Sequence, residues 1–200
     1  MKRLITVIGI LLTLLAGPSW AVEPINLALA PAILGGAGAG VAAANEGTFG
    51  HDNIESSSGA ASNGGIRCAG LDTPANSGTV DKIQIYSSNT TEALNVKVGL
   101  YVVSAGDMTT KVGTETTLSS VGTWSLGWHD FSVSYSVTAG TYYVMCFQPD
   151  DSGMTIYSID NGSTVRFFYI SHTYADAWAS PETGEAGFTF DGSFKAHYTY

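Results

Sequence analysis

The residues of this 200-residue chain that could do chemistry are its acids and its rings. Seventeen carboxylates are present. A glycoside hydrolase needs two of them facing each other across a bond, and that separation is spatial. Asp130, Asp176 and Glu182 are therefore candidates that spacing along the chain does not distinguish from chance. Asp150-Asp151 and Asp160-Asn161 could offer hard oxygen ligands to calcium, but the same residue types are what tight turns use. The four histidines, His51, His129, His172 and His197, lie on unrelated segments with no metal-ligand spacing. No Gly-x-Ser-x-Gly, His-Glu-x-x-His, phosphate loop or dinucleotide fingerprint occurs. No metal site, cofactor or catalytic group is expected, and the reading is of a non-enzyme.

The rings point to binding. Trp178 lies in Tyr174-Ala175-Asp176-Ala177-Trp178-Ala179-Ser180-Pro181, a polar stretch where a large ring must either pack or hold a ligand. Sugar faces present apolar C–H patches that stack on such rings. Trp178 and Tyr174 are the first candidates, and Trp124, which flanks Gly127 together with Trp128, is the next. For each the competing reading is a ring that fastens a loop to the domain.

The elements that must position these residues are strands. From Leu94 to Val103, Val96, Val98, Leu100 and Val102 fall on one face and Asn95, Lys97, Gly99 and Tyr101 on the other, so one face is buried. Ile66–Leu71, Val80–Tyr86, Trp128–Val133 and Thr141–Gln148 read as further strands, the last apolar on both faces. Met154–Ile159 and Thr164–Ile170 flank Asn161-Gly162, and Gly187–Phe190 and Ser193–Tyr200 flank Asp191-Gly192. Both pairs predict tight hairpins. Thr48–Gly65 reads as an irregular entry with one short strand. No helical periodicity appears after residue 45. The expected fold is all-β: an antiparallel β-sandwich, in jelly-roll order, over residues 46–200.

The first residues and the two cysteines bear on the compartment. Lys2 and Arg3, the apolar run Leu4–Leu15, and the small residues Ser19 and Ala21 have the layout of a cleavable signal peptide over residues 1–21. The apolar run is too short for a stable membrane span. Cys68 and Cys146, the only two cysteines, are expected to pair as a disulfide in a secreted or otherwise extracytoplasmic protein. Residues 22–45 form a separate Gly/Ala-rich segment, uncharged from Ile25 to Ala44. Three readings of it stand: a tether, a strand that pairs with a neighbouring subunit, or a membrane helix disfavoured by Pro31 and the glycines. Loss of the leader leaves six basic residues against seventeen acidic, a net charge of −11. That argues against nucleic acid as a partner.

Gly78-Thr79-Val80-Asp81-Lys82-Ile83-Gln84-Ile85-Tyr86, Asn95–Tyr101, Gly127-Trp128-His129-Asp130-Phe131 and Val137–Val144, in that order, resemble secreted and phage-associated bacterial β-sandwich modules similar to carbohydrate-binding domains. The resemblance covers residues 78–147 and the closing strand. It implies the jelly-roll fold and carries no site residue with it. The functional expectation is a secreted or surface-displayed module that binds a glycan or other cell-surface ligand. The alternative is a structural subunit of a fibre, matrix or particle coat that self-assembles through residues 22–45. A glycoside-type hydrolase stands third.

Overall fold

A computed structural model describes residues 44–61, 64–160, 167–180, 186–188 and 190–200. The leader, the Gly/Ala-rich segment up to residue 43, the Asn161-Gly162 turn and Glu182 lie outside the described residues.

The described chain is strands and loops. In order they are β1 (Glu46–Gly50), β2 (Ser57–Ala61), β3 (Gly65–Asp72), β4 (Gly78–Asn89), β5 (Val96–Ser104), β6 (Asp107–Lys111) and β7 (Thr116–Leu118). Then come β8 (Trp124–Val137), β9 (Tyr143–Pro149), β10 (Met154–Asp160), β11 (Phe167–Ser171), β12 (Ala186–Phe188), β13 (Phe190–Gly192) and β14 (Phe194–Thr199). They form two antiparallel seven-stranded sheets. In sheet A the path is β1-β14-β4-β10-β13, with β8 also on β4 and β2 on β10; in sheet B it is β12-β11-β3-β9-β5-β6, with β7 on β5. In sheet A the twelve-residue β4 takes two successive partners, β14 along Thr79–Ile85 and β10 along Ser87–Asn89.

The sheets face each other in a sandwich-like arrangement. Val80, Ile83 and Ile85 of β4, Phe131 and Tyr135 of β8, and Phe194 and Ala196 of β14 meet Val96, Val98 and Leu100 of β5 and Met145 and Phe147 of β9 in the main core. This is the period-2 alternation of half-buried strands. A second core lies on the other face of sheet B, where Ile66, Cys68, Tyr101, Val144, Cys146, Phe168, Ile170 and Trp178 pack together. Residues 172–180 cross that face as a strap. The double coverage explains why β9 is apolar on both faces, all seven of its residues being buried.

Cys68 and Cys146 sit directly opposite each other on β3 and β9, with Cα atoms 4.0 Å apart, and are joined by a disulfide. They belong to the second core under the strap rather than to the space between the sheets.

Neither expected hairpin forms. β10 is in sheet A, on β2, β4 and β13, whereas β11 is in sheet B, on β3 and β12, so the two do not pair. Likewise, β12 is in sheet B, and β13 and β14 run on into sheet A, with Asp191-Gly192 inside a strand rather than at a turn. The expected irregular entry also holds two strands instead of one: β1 pairs with β14 and β2 with β10.

Candidate functional site

The strap decides the fate of the first candidate ring. Of the two readings weighed for Trp178, a ring that holds a ligand and a ring that fastens a loop, the burial favours the second: it is 3 % exposed. Its ring stacks on Tyr101 at 6.2 Å and its Nε1 donates to Gln148 Oε1 at 2.9 Å. Gly99 makes the close approach possible, since a Cβ there would lie 2.6 Å from the Trp178 ring. Polar ties run along the strap on both sides of the ring. Lys97 Nζ donates to the carbonyls of Tyr174 (2.5 Å) and Asp176 (2.7 Å), Lys111 Nζ to the carbonyl of Trp178 (2.5 Å), and Tyr101 Oη to that of Ala179 (2.7 Å). Glu115 accepts from the Trp178 backbone N–H at 3.0 Å and from Lys111 at 2.7 Å. Burial pushes the Glu115 carboxyl up, but these donors outweigh it and hold the group below the ordinary glutamate range. Trp178 is thus an anchor in the second core, with no ring face left for a ligand.

Tyr174, four residues earlier on the strap, borders a groove of about 600 Å³ with Asp150, His172 and Thr173. The Lys97 ammonium lies 4.9 Å from its ring centroid. Asp150, weighed above as a calcium ligand, instead accepts from Asn95 through both oxygens, at 2.9 Å from the backbone N–H and 2.5 Å from Nδ2. Asp151 accepts from Ser152, an ordinary turn contact. Among the described residues no group of three or more His, Cys, Asp or Glu could hold a metal ion.

Trp124 is far in the topology from both. At the start of β8 it is half-buried against the main core, donates from Nε1 to Ser87 Oγ at 3.2 Å, and packs at 5.0 Å on His129 and 6.2 Å on Phe131. These rings line a recess of about 280 Å³ with Leu118 and Val121. The three candidate residues therefore do not converge: Tyr174 and Trp178 belong to the strap over sheet B, Trp124 to an end of sheet A.

What does converge is the outer face of sheet A. Pairing places Tyr86 beside Trp128, Gln84 beside Asp130 and also beside Lys195, and Lys82 beside Ser132. Residues paired across strands share a face, so Lys82, Gln84 and Tyr86, alternating with buried Ile83 and Ile85, look outward. Tyr86 stands edge-to-face with Trp128 at 5.6 Å on one side and with Tyr157 at 5.5 Å on the other, giving a row of three half-buried rings over β8, β4 and β10. Lys195 Nζ is 4.3 Å from the Trp128 ring centroid. Asp130 accepts from Gln84 Nε2 at 2.6 Å and Lys82 Nζ at 3.1 Å. Burial raises the Asp130 carboxyl, but these two donors overcome it and keep the group below the usual aspartate range. An ionised, hydrogen-bonded carboxylate of this kind suits recognition, whereas the acid of a glycosidase needs a raised pKa. Of this face the sequence reading had singled out Trp128 and Asp130. Tyr86, Tyr157, Gln84 and Lys195 were missed, although the polar side of the 80–86 alternation already carried Gln84 and Tyr86.

His51 lies between Glu55 and Asp191, and His197 between Asp81 (2.8 Å) and Glu46 (3.4 Å), so both histidines fasten strands near β1. His129 makes a 2.9 Å contact with the carbonyl of Ser125. No protein-family model, no curated protein and no solved structure matches this chain.

Proposed function

We propose that this protein is a non-catalytic, exported carbohydrate-binding module of jelly-roll type, and that it holds its ligand on the outer face of sheet A. The observation that carries the reading is the row Trp128, Tyr86 and Tyr157 with hydrogen-bonding Gln84, Asp130, Lys82 and Lys195 alongside. Rings supply the apolar contact a sugar face needs, and fixed donors and acceptors beside them supply its hydroxyls with partners. Gln84 and Lys82 are already bonded to Asp130, and Lys195 lies over the Trp128 ring, which holds these groups in position before a ligand arrives and lowers the ordering cost of binding. The buried disulfide suits an oxidising compartment, and the charge of −11 left after loss of the leader suits neutral glycans better than polyanions. Successive strands in different sheets, such as β10 and β11, are compatible with jelly-roll winding.

Glycan arrays and pull-down on insoluble polysaccharides, with Trp128→Ala and Tyr86→Ala alongside, test the reading. Binding should be detected and each variant should weaken it about tenfold or more, the effect of removing a central aromatic contact. No bound glycan, or equal binding by both variants, refutes it.

A second reading has its own observation. β8 is fourteen residues long, pairs only with β4 among the described residues, and carries Asp130 as its one carboxylate and no Lys, Arg or Pro. Such an edge is a template for strand addition. It favours an assembling subunit whose uncharged residues 25–44 add to the β8 edge of a neighbour. Light scattering on protein with and without residues 22–43 tests this; a monomer in both cases removes it.

A further inference from the structure

We infer that Lys195 makes the outer face of sheet A selective for a glycan that carries an isolated anionic group, a uronate carboxylate or a sulfate ester, among neutral sugars. This rests on the sheet-A reading above and names the class of glycan that the face takes.

The starting point is how the lysines are used. Among the described residues Lys82 Nζ donates to Asp130, Lys97 Nζ to the carbonyls of Tyr174 and Asp176, and Lys111 Nζ to Glu115 and to the carbonyl of Trp178. Lys195 differs. Its Nζ lies 4.3 Å from the Trp128 ring centroid and forms no hydrogen bond or ion pair among the described residues. An ammonium carries three N–H donors, and a ring face attracts its charge without supplying a strong acceptor. The half-buried Lys195 therefore keeps donors for an incoming oxygen.

The neighbouring acids are engaged elsewhere. Asp130 takes Lys82 and Gln84. Glu55, whose backbone N–H donates to Ser193 next to β14, contacts His51, as does Asp191.

The place of the ammonium decides what it selects. β14 and β8 pair with opposite edges of β4, with Lys195 and Asp130 both opposite Gln84 and Trp128 opposite Tyr86. Lys195 thus reaches over β4 to the point where the row of rings meets the polar groups. A sugar hydroxyl there would satisfy one N–H. A carboxylate or sulfate oxygen does so with opposite charge, which is the stronger pairing. Lys82 and Lys195 against Asp130 leave this cluster one positive charge in excess, on a chain with seventeen acidic and eight basic residues. The acidic surroundings repel a densely charged polyanion, so the anionic group stands alone among neutral sugars.

The test is a titration of the full chain with methyl glucoside and methyl galactoside, with their uronic acids and with their sulfate esters at the same carbon, followed by two-dimensional NMR of the Trp128 indole and the Lys195 amide. At least one acidic form should bind about tenfold or more tightly than its neutral parent, and the margin should shrink as salt is raised. Lys195→Met, which keeps the length of the side chain and removes its charge, should make the two forms bind alike. Lys195→Arg, which keeps the charge, should retain the preference. Equal binding of acidic and neutral forms in both series, or a preference undiminished in Lys195→Met, overturns the inference. Neutral sugars that still shift the Trp128 indole in that event leave the sheet-A reading standing, whereas no saturable shift with any of these sugars removes both.

Discussion

Replacing Trp178 with Ala separates a packing ring from a binding ring. The side chain is 3 % exposed, so its removal opens a large hole over Tyr101 and Gly99. Truncation of a buried Trp costs about 3–5 kcal/mol. Gln148 is fully buried and loses the donor to its Oε1, which adds about 1–3 kcal/mol if no water replaces it. The strap lies at the surface and can shift to admit water, so the sum is an upper bound and the expected loss is about 4 kcal/mol. Urea unfolding followed by far-UV circular dichroism measures it. Folded Trp178→Ala should still bind glycan as the parent does. A loss under about 1 kcal/mol with binding abolished would mean that the ring meets a ligand, and the account of the strap would be refuted.

Three further outcomes follow from the same region. Cys68→Ser with Cys146→Ser should lower stability by about 4 kcal/mol, the chain-entropy value for a bridge across 78 residues, read as a drop in urea midpoint that disappears when the parent is measured under reducing conditions. Gly99→Ala should cost about 1–3 kcal/mol, because its Cβ would meet the Trp178 ring at 2.6 Å, and hydrogen exchange should rise in residues 172–180. Glu115 has a folded-state carboxyl below its unfolded value, so its contribution is present above about pH 4.3 and is lost as pH falls through the folded value. Stability measured against pH should decline in that acid window, and Glu115→Gln should flatten the decline.

Much of the fold was written in local alternation, and the misses have a common cause. Leu94–Val103 announced one buried face through Val96, Val98 and Leu100, and that face meets the main core. The opposite face, with Lys97, Gly99 and Tyr101, looked solvated but is buried too. Nothing within the strand encodes a strap that arrives some seventy-five residues later and satisfies the Lys97 ammonium with backbone carbonyls. The same distance problem undid the hairpins. Asn161-Gly162 and Asp191-Gly192 are good turn chemistry, yet dipeptides do not specify to which sheet the next strand goes. Trp178 was singled out for being a large ring in a polar segment. The segment lacks other large apolar residues because Ala175, Asp176, Ala177, Ala179 and Ser180 face solvent, and the ring alone turns inward, onto Tyr101 in the core that also holds the disulfide. The Trp128–Tyr86–Tyr157 row was hidden for a different reason: its members lie on three strands, and only the registers of β4 with β8 and β10 bring them together.

The most direct measurement of the central claim is the affinity of the intact protein and of Trp128→Ala for the polysaccharide that the parent retains, with unfolding curves of both as a control on fold. The account expects retention by the parent and about tenfold or greater weakening in the variant at unchanged stability. Equal retention by the two proteins, or no retention of any polysaccharide by the parent, would contradict it.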